Sequence, residues 1–408
     1  PSLEEMAHVA SEMQRLNMKQ PLLIGGATTS RAHTAIKIAP NTEGAVVYVP
    51  DASRAVGVAT KLLSVDQRAG YMAEIVSEYE AVRAEHAGRK GPTMVTLEEA
   101  RANRFTWNQP YAPIIPNQLG LQTLNPSLSD LSLLIDWTPF FQSWDLAGRY
   151  PAILDNETVG ETARQLFADA KKMLTSIINE NWLSARAVFG LYPASAENED
   201  IIIYADESRT TELTRWVGLR QQHKQPKGRF NLALADFVGK RDYVGAFAVT
   251  AGHRIEERVA AFEAANDDYS AIMLKSLADR LAEAAAEWLH LQVRTQYWGY
   301  ASEESLDNQA LIAEQYKGIR PAPGYPACPD HTAKRELFAL LNAPTNAGMV
   351  LTESCAMMPA AAVSGFYIGH PGAAYFAIPK IARDQLEDWA ARKTMSLKDA
   401  EYWLAPLL

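Results

Sequence analysis

The chain is poor in cysteine, lacks long apolar runs and carries no excess of positive charge. Its 408 residues contain only two cysteines, Cys328 and Cys355, which are too few for a disulfide framework and favour a reducing compartment. No apolar run approaches the roughly 18 residues of a membrane span, and no signal peptide is recognisable. A formal net charge of −9 argues against nucleic acid as a partner. These absences predict a cytoplasmic protein that binds neither membrane nor nucleic acid.

The remaining composition is typical of a folded protein with two or three domains. At 48% hydrophobic and 21% charged residues, the chain has enough apolar surface for substantial cores. Residues 1–85 alternate short β-branched runs with helical patterns, which predicts βα units on a parallel sheet. Residues 86–126 hold several prolines and little periodicity, which predicts an extended linker. Residues 127–408 have the pattern of one large α+β domain.

Helices and strands are segregated along this large domain. Residues 163–179 and 269–297 have long amphipathic helical patterns, and residues 187–192 and 201–204 have the pattern of a strand hairpin. Segregation of this kind favours an antiparallel or mixed sheet over a parallel one.

The most distinctive segment is Arg320-Pro-Ala-Pro-Gly-Tyr-Pro-Ala-Cys-Pro-Asp-His331, which contains four prolines. Proline fixes φ and restricts the preceding residue, so the segment can be neither a helix nor a central strand. It therefore has little conformational freedom to lose when a ligand binds. Arg320 offers a planar guanidinium that suits a carboxylate, and Tyr325 offers an aromatic face with a polar tip. The segment is either a recognition loop or a rigid connector.

This segment resembles the S-adenosylmethionine-binding loop of cobalamin-dependent methionine synthases, which lies in their C-terminal reactivation domain. Further stretches resemble the same family in the same order, over nearly all of the chain. They are Leu23-Ile-Gly-Gly-Ala-Thr-Thr-Ser30, Ile135-Asp-Trp-Thr-Pro-Phe-Phe141, Gly245-Ala-Phe-Ala-Val-Thr250, Asp267-Asp-Tyr269, Tyr375-Phe376 and Trp403-Leu-Ala-Pro406. The resemblance implies a curved α+β reactivation domain over residues 127–408. Residues 1–85 would be the C-terminal portion of a flavodoxin-like cobalamin-binding domain.

One departure from the family concerns cobalamin. The family's Asp-x-His-x-x-Gly signature, whose histidine ligates cobalt, is absent, and the chain opens at Pro1 without an initiator methionine. The chain is therefore expected to be a fragment that binds cobalamin only with the missing upstream segment. The resemblance places Ala52 against cobalamin through its backbone. Zinc is expected in the full-length enzyme but not here, because Cys328 and His331 supply only two of four tetrahedral ligands.

The resemblance also assigns residues to S-adenosylmethionine. Arg320 would bind the ligand carboxylate and Asp136 the ammonium, while Tyr375 and Phe376 would line the nucleoside or amino-acid end. Each assignment has a structural alternative. Asp136 could be a turn residue before Pro139, and one of the two aromatics could belong to the core, since adjacent strand residues face opposite sides.

Three acidic residues, Asp279, Glu283 and Glu287, recur every four positions within the helical pattern of residues 269–297. They form either a solvated helix face or an acidic rim that faces a cationic sulfonium or the cobalamin module. The resemblance favours Glu283 as the member that binds S-adenosylmethionine.

The resemblance implies a part of the 5-methyltetrahydrofolate–homocysteine methyltransferase of methionine biosynthesis. Its reactivation domain would support reductive methylation of cob(II)alamin to methylcobalamin, with flavodoxin or a flavoprotein reductase as electron partner. Proximity and orientation would be its contribution, so no catalytic acid or base is expected. The alternative is a non-catalytic module that senses S-adenosylmethionine and docks the reductase. A conventional S-adenosylmethionine methyltransferase is less consistent, because its Gly-rich fingerprint after a first strand is not evident.

Overall fold

A computed structural model describes most of the chain, and its described residues form two compact units, Pro1–Thr93 and Met94–Leu408. The described ranges are 2–25, 29–49, 52–88, 93–107 and 111–408, without the side chains of residues 2–4, 52–54 and 86–88. Within these ranges, no helix combines the length and apolar character that a membrane crossing requires.

The first unit contains a pair of parallel strands between two small apolar clusters. Its elements are α1 Ser2–Arg15, β1 Leu22–Ile24, α2 Arg31–His33 with the π-helix Thr34–Ile38, the 3-10 helix Ala39–Asn41, β2 Val46–Tyr48, α3 Ala52–Leu63 and α4 Arg68–Gly88. Ile24 and Val46 pack against Ala10 on one side, while Val47 packs against Leu62 on the other. The parallel pair agrees with the expected βα units, and the flavodoxin-like character of this unit stays a prediction.

The second unit combines a mainly antiparallel set of strands with many helices. Its strands are β3 Gly120–Leu124, β4 Ser184–Glu197, β5 Asp200–Tyr204, β6 Glu212–Trp216, β7 Asp242–His253, β8 Val350–Leu351, β9 Met357–Met358 and β10 Ala362–Tyr367. Its helices are α5 Leu97–Ala102, α6 Leu128–Ser132, α7 Thr138–Ser143, α8 Gly160–Asn179, α9 Ile255–Ala264, α10 Asp268–Gln292, α11 Asn308–Ile312, α12 Ala333–Leu341, α13 Ala343–Ala347, α14 Arg383–Arg392 and α15 Leu397–Trp403. Helix α10 continues as the π-helix Val293–Tyr297.

Strand β4 is the centre of the main sheet. It pairs with β7 along one edge, and along the other its first half pairs with β3 and its second half with β5. The strand order is β10-β7-β4-β5-β6, with every pair antiparallel. Successive side chains of β4 enter different cores: Phe189 packs with α8 and α10, and Val188 packs with α12 and α13. The sheet is therefore buried on both faces by helical layers.

The predicted α+β class is confirmed, and the main sheet is antiparallel as the segregation of helices and strands suggested. The two long helical patterns correspond to α8 and α10, and the hairpin pattern corresponds to β4 and β5. Residues 94–107 and 111–126, expected to belong to an extended linker, instead lie in the second unit and include α5 and β3.

Local interactions explain why residues 94–107 belong to the second unit rather than to an extended linker. Thr96 and Glu99 form a reciprocal capping box that starts α5. The Trp107 indole donates a hydrogen bond to the Asp236 carbonyl at 2.8 Å. A helix cap and an anchored aromatic residue attach this stretch to the domain more firmly than proline content alone predicts.

A buried charge network connects the turn between β4 and β5 with the segment that follows β6. The Arg220 side chain, 1% exposed, lies 2.7 Å from Glu199 through Nε and 2.8 Å from Asp236 through Nη1. Its Nη2 also donates to Asp236 at 2.8 Å, and its Nη1 donates to the Asn231 carbonyl at 2.8 Å. Charges removed from water in this way are tolerated only when each has a closely placed partner.

Replacing the buried arginine should destabilise this unit strongly. Arg220→Met should lower the free energy of unfolding by about 3–5 kcal/mol, because it leaves the buried Asp236 carboxylate without its counter-ion and Glu199 with Arg101 as its remaining one. Urea unfolding followed by circular dichroism measures the change. As a matched control, Lys275→Ala removes an ion pair with Glu263 in which both side chains are 54% exposed, and it should cost less than about 1 kcal/mol. Equal effects of the two substitutions would contradict the prediction.

Candidate functional site

The proline-rich segment is attached to the free edge of the main sheet, beside β10. Ile319 and Ile368 exchange both backbone hydrogen bonds at 3.0 Å, and the Phe366 amide donates to the Pro321 carbonyl at 2.9 Å. Proline accepts hydrogen bonds but donates none, so the segment joins the sheet edge through its carbonyl oxygens. This attachment places Arg320 between two points that the sheet holds.

Gly365 of β10 makes the close approach possible. A Cβ built on this residue would lie 2.6 Å from the Pro321 carbonyl oxygen and 3.0 Å from the Phe247 ring. Glycine in a strand often marks such a close backbone contact. On the other side of the segment, the Pro326 carbonyl accepts a hydrogen bond from the Ile378 amide at 2.8 Å. The segment is therefore fixed from two directions.

The segment forms one wall of a groove of about 430 Å³. The sheet contributes Phe247 and Val363, helix α10 contributes Glu283, and connecting stretches contribute Glu314, Tyr375 and Phe376, while the loop supplies Arg320, Pro321, Ala322, Tyr325, Pro326 and Ala327. Apolar and aromatic walls with a few charged groups are typical of a small-molecule site. A larger depression of about 680 Å³ beside α8 contains none of the predicted site residues.

Arg320 reaches this groove from a buried network of polar side chains. Its Nη2 lies 2.7 Å from Glu287, and its Nη1 donates to Tyr316 Oη at 2.6 Å and to His290 Nδ1 at 3.2 Å. Burial and the guanidiniums of Arg294 and Arg320 hold the pKa of His290 well below 6.5. The imidazole is therefore neutral at physiological pH and accepts at Nδ1.

Two carboxylates line the same groove. Glu283 is exposed and lies one helical turn before the buried Glu287 on α10. Desolvation by the surrounding groove walls raises the pKa of Glu283 above 4.5, an effect that Arg280 opposes. Glu314 has a left-handed φ of 53°, just beyond the end of α11, where glycine is the common residue.

The three predicted acidic residues of α10 therefore have three different environments. Asp279 is exposed and pairs with Arg280 at 2.5 Å. Glu283 faces the groove, whereas Glu287 is buried against Arg320. The interpretation of the stripe as a uniform solvated face is wrong at Glu287, because every fourth helical residue shares a side only approximately and a neighbouring loop covers part of it.

The aromatic residues of the groove have different surroundings. The Tyr375 hydroxyl accepts a hydrogen bond from the Arg320 amide at 3.0 Å, and burial raises the pKa of Tyr375. It keeps its proton and can donate it to a ligand. Phe376 also packs against two core clusters, while Tyr325 is 60% exposed. Because Tyr375 and Phe376 lie outside any strand, strand alternation does not separate them and both line the groove.

Two predicted binding residues, Asp136 and Ala52, are not among the described residues that line this groove. Asp136 is absent from its described lining, and its Oδ1 accepts a hydrogen bond from the Thr138 amide at 2.9 Å. That is the turn geometry named as its alternative, so its ammonium-binding role stays a prediction. Ala52 begins α3, but its side chain lies outside the described residues, as do residues 26–28 of the glycine-rich stretch.

Sequence reasoning missed Glu314. This residue is an isolated acid in a connecting segment, and no periodic pattern or motif singles it out. A signal that could have found Glu314 is its backbone conformation. The residue has a left-handed φ just after the end of a helix, a position that glycine usually occupies.

Cys328 and His331 occupy buried or hydrogen-bonded positions. Cys328 is buried, and burial raises the pKa of its thiol. His331 accepts a hydrogen bond from the Lys334 ammonium at 3.0 Å. Across the part of the chain that the structure describes, no group of three or more His, Cys, Asp or Glu side chains is arranged to hold a metal ion.

Comparisons with known proteins agree with this architecture. The sequence profile described as "Vitamin B12 dependent methionine synthase, activation domain" matches residues 127–394. The chain is also similar to a crystal structure of the MetH reactivation domain bound to AdoHcy, with 52% sequence identity and a TM-score of 0.76. That match covers 78% of this chain and 99% of the other.

The contact between Gly365 and Pro321 can be tested by adding one methyl group. Gly365→Ala should destabilise the unit by about 1–3 kcal/mol, because a backbone oxygen has to move. The Phe366 amide should also exchange its hydrogen faster, since its bond to the loop weakens. Gly57→Ala is the control: its Cβ would meet nothing within 4 Å, and alanine favours a helix by about 1 kcal/mol over glycine. Unchanged exchange at Phe366 would contradict the proposed attachment.

Proposed function

The chain belongs to the vitamin B12-dependent methionine synthase activation-domain family, and we propose that its groove binds S-adenosylmethionine. The observation that carries this proposal is the convergence of Arg320, Glu283 and Glu314 on one groove with aromatic walls. S-adenosylmethionine has one carboxylate and two cationic groups, the ammonium and the sulfonium. One guanidinium and two carboxylates complement these charges. The similar MetH reactivation domain was crystallised with AdoHcy, which shares every group except the sulfonium methyl.

Each groove residue has a role that follows from its chemistry. Arg320 binds the α-carboxylate, and Glu283 or Glu314 faces the cationic groups. Tyr375 donates its hydroxyl proton to a polar atom of the ligand, and Tyr325 and Phe376 supply aromatic surface for the nucleoside. Asp136 remains the proposed partner of the ammonium on the strength of the family resemblance.

We further propose that this unit supports the reductive methylation of cob(II)alamin to methylcobalamin. S-adenosylmethionine supplies the methyl group when it is bound, and the residues described here bind and orient it. The residues that the resemblance assigns to cobalamin lie wholly or partly outside the described ones, so no cobalamin contact is assigned. Flavodoxin or a flavoprotein reductase is the proposed electron donor.

The alternative is a module that senses S-adenosylmethionine and docks the reductase without taking part in methyl transfer. Methyl transfer to cob(II)alamin, measured with a reductant and a complete cobalamin-binding domain supplied, distinguishes the two. Both functions require ligand binding, but only the first requires a methylated cofactor as product.

Removing the guanidinium should weaken ligand binding. Arg320→Ala should cost about 2–4 kcal/mol of AdoHcy and S-adenosylmethionine binding, because the ligand carboxylate loses its charged partner. Isothermal titration calorimetry measures the change. Arg383→Ala is the matched control, since this arginine is 56% exposed and pairs with Glu387 and Glu401. Unchanged affinity in Arg320→Ala would contradict the proposed carboxylate contact.

The pKa of Glu283 predicts a pH-dependent preference for the sulfonium. The ionised carboxylate attracts the sulfonium of S-adenosylmethionine but not the neutral sulfur of AdoHcy. Because the pKa of Glu283 is raised above 4.5, the carboxylate becomes neutral at a higher pH than an ordinary glutamate as the solution is acidified. The ratio of the two affinities should therefore fall as pH falls through this raised pKa.

Calorimetry with both ligands over a pH series checks this prediction. Glu283→Gln should lower the preference for S-adenosylmethionine and flatten its pH dependence. A pH dependence that persists unchanged in Glu283→Gln would assign the effect to another carboxylate, of which Glu314 is the first to test.

A further inference from the structure

Glu287 lies behind the groove and contacts its guanidinium. The Glu287 side chain is 9% exposed, and its Oε2 lies 2.7 Å from Arg320 Nη2. It does not line the groove itself. A buried carboxylate that contacts a binding residue from behind is suited to controlling the position of that residue.

Some N–H groups of the Arg320 guanidinium donate to protein side chains, and others have no acceptor among the described residues. A guanidinium has five N–H donors. Tyr316 and His290 accept from Nη1, and Glu287 accepts from Nη2. Among the described residues, none accepts from Nε. The Nε–H and one Nη2–H thus remain for a ligand, and a guanidinium can bind the two oxygens of a carboxylate through one Nε–H and one Nη–H.

Glu287 is itself held by further charges. Its Oε1 lies 3.8 Å from Nη1 of the fully buried Arg294, whose Nη2 lies 2.7 Å from Glu304. The Arg294 guanidinium also lies 4.0 Å from the centre of the Tyr316 ring. Charge therefore alternates from Arg320 through Glu287 and Arg294 to Glu304. Without the Glu287 carboxylate in this position, the guanidiniums of Arg320 and Arg294 would both lose a partner.

We propose that Glu287 is a positioning residue for ligand binding: it holds Arg320 with its Nε–H and one Nη2–H free for the ligand carboxylate. Tyr316 and His290 complete the arrangement by accepting the remaining donors. This inference rests on the proposed binding of S-adenosylmethionine. Without Glu287, Arg320 would have to be ordered at the moment of binding, which reduces affinity.

The test compares two ligands that differ only in the carboxylate. The first is AdoHcy, and the second is its decarboxylated analogue, which keeps the nucleoside, the sulfur and the amine. In Glu287→Gln, AdoHcy affinity should fall about ten- to hundredfold, the size of the effect seen when residues that orient metal ligands are replaced. Affinity for the decarboxylated analogue should be unchanged. A loss of structure alone would weaken both ligands equally.

Each outcome of this calorimetric comparison is decisive. Failure of the unsubstituted chain to bind AdoHcy would overturn the proposed function itself. Binding by the unsubstituted chain, together with equal effects of Glu287→Gln on both ligands, would overturn only the positioning role. Tighter AdoHcy binding would also overturn it, since Glu287 would then compete with the ligand for Arg320.

Two further variants keep the test valid if Glu287→Gln does not fold. Tyr316→Phe removes one acceptor of Arg320 Nη1 but keeps the ring against Arg294, so it should show the same selective loss to a smaller degree. Glu287→Asp keeps the charge and should recover part of the AdoHcy affinity. Glu263→Gln, an exposed carboxylate paired with Lys275, is the control and should affect neither ligand. Absence of a selective loss in Tyr316→Phe would contradict the inference.

Discussion

The candidate site depends on the attachment of a proline-rich loop to the edge of an antiparallel sheet. Proline cannot donate a hydrogen bond, so the loop joins β10 through the Ile319–Ile368 pair and the Pro321 carbonyl. Gly365 supplies the space that this contact needs. The same attachment covers an edge that would otherwise present unpaired backbone groups. The position of Arg320 is therefore a consequence of how the sheet ends.

Buried charge is the second constraint on this unit. Arg220 and Arg320 are both removed from most solvent, and each faces a carboxylate at 2.7 Å. The first ion pair connects structural segments, whereas the second lies at the wall of a groove. Desolvating such an ion pair costs free energy, and removing one partner destabilises the fold strongly. The pairs therefore restrict their side chains to one arrangement. His290 shows the effect on its surroundings, because burial and the nearby guanidiniums of Arg294 and Arg320 lower its pKa.

Much of the site could be predicted because its residues lie in recognisable sequence segments. Arg320 and Tyr325 belong to one rigid motif, and Tyr375 and Phe376 are adjacent; all four line the groove. Glu314 could not be found in this way, since an isolated acid in a connecting segment has no pattern. Glu287 was interpreted as part of a stripe, because helical periodicity shows which residues share a side but not which neighbouring loop covers them.

The class of the fold, the two long helices, the stiffness of the proline-rich loop and the family could all be predicted from the amino-acid sequence. These properties follow from local chemistry: backbone restriction by proline and the periodic placement of apolar side chains. Tertiary structure decided which residues meet. It buried Glu287 behind Arg320 and brought Glu314 to the groove. Such contacts depend on distances between elements far apart in the chain, and no local pattern encodes them.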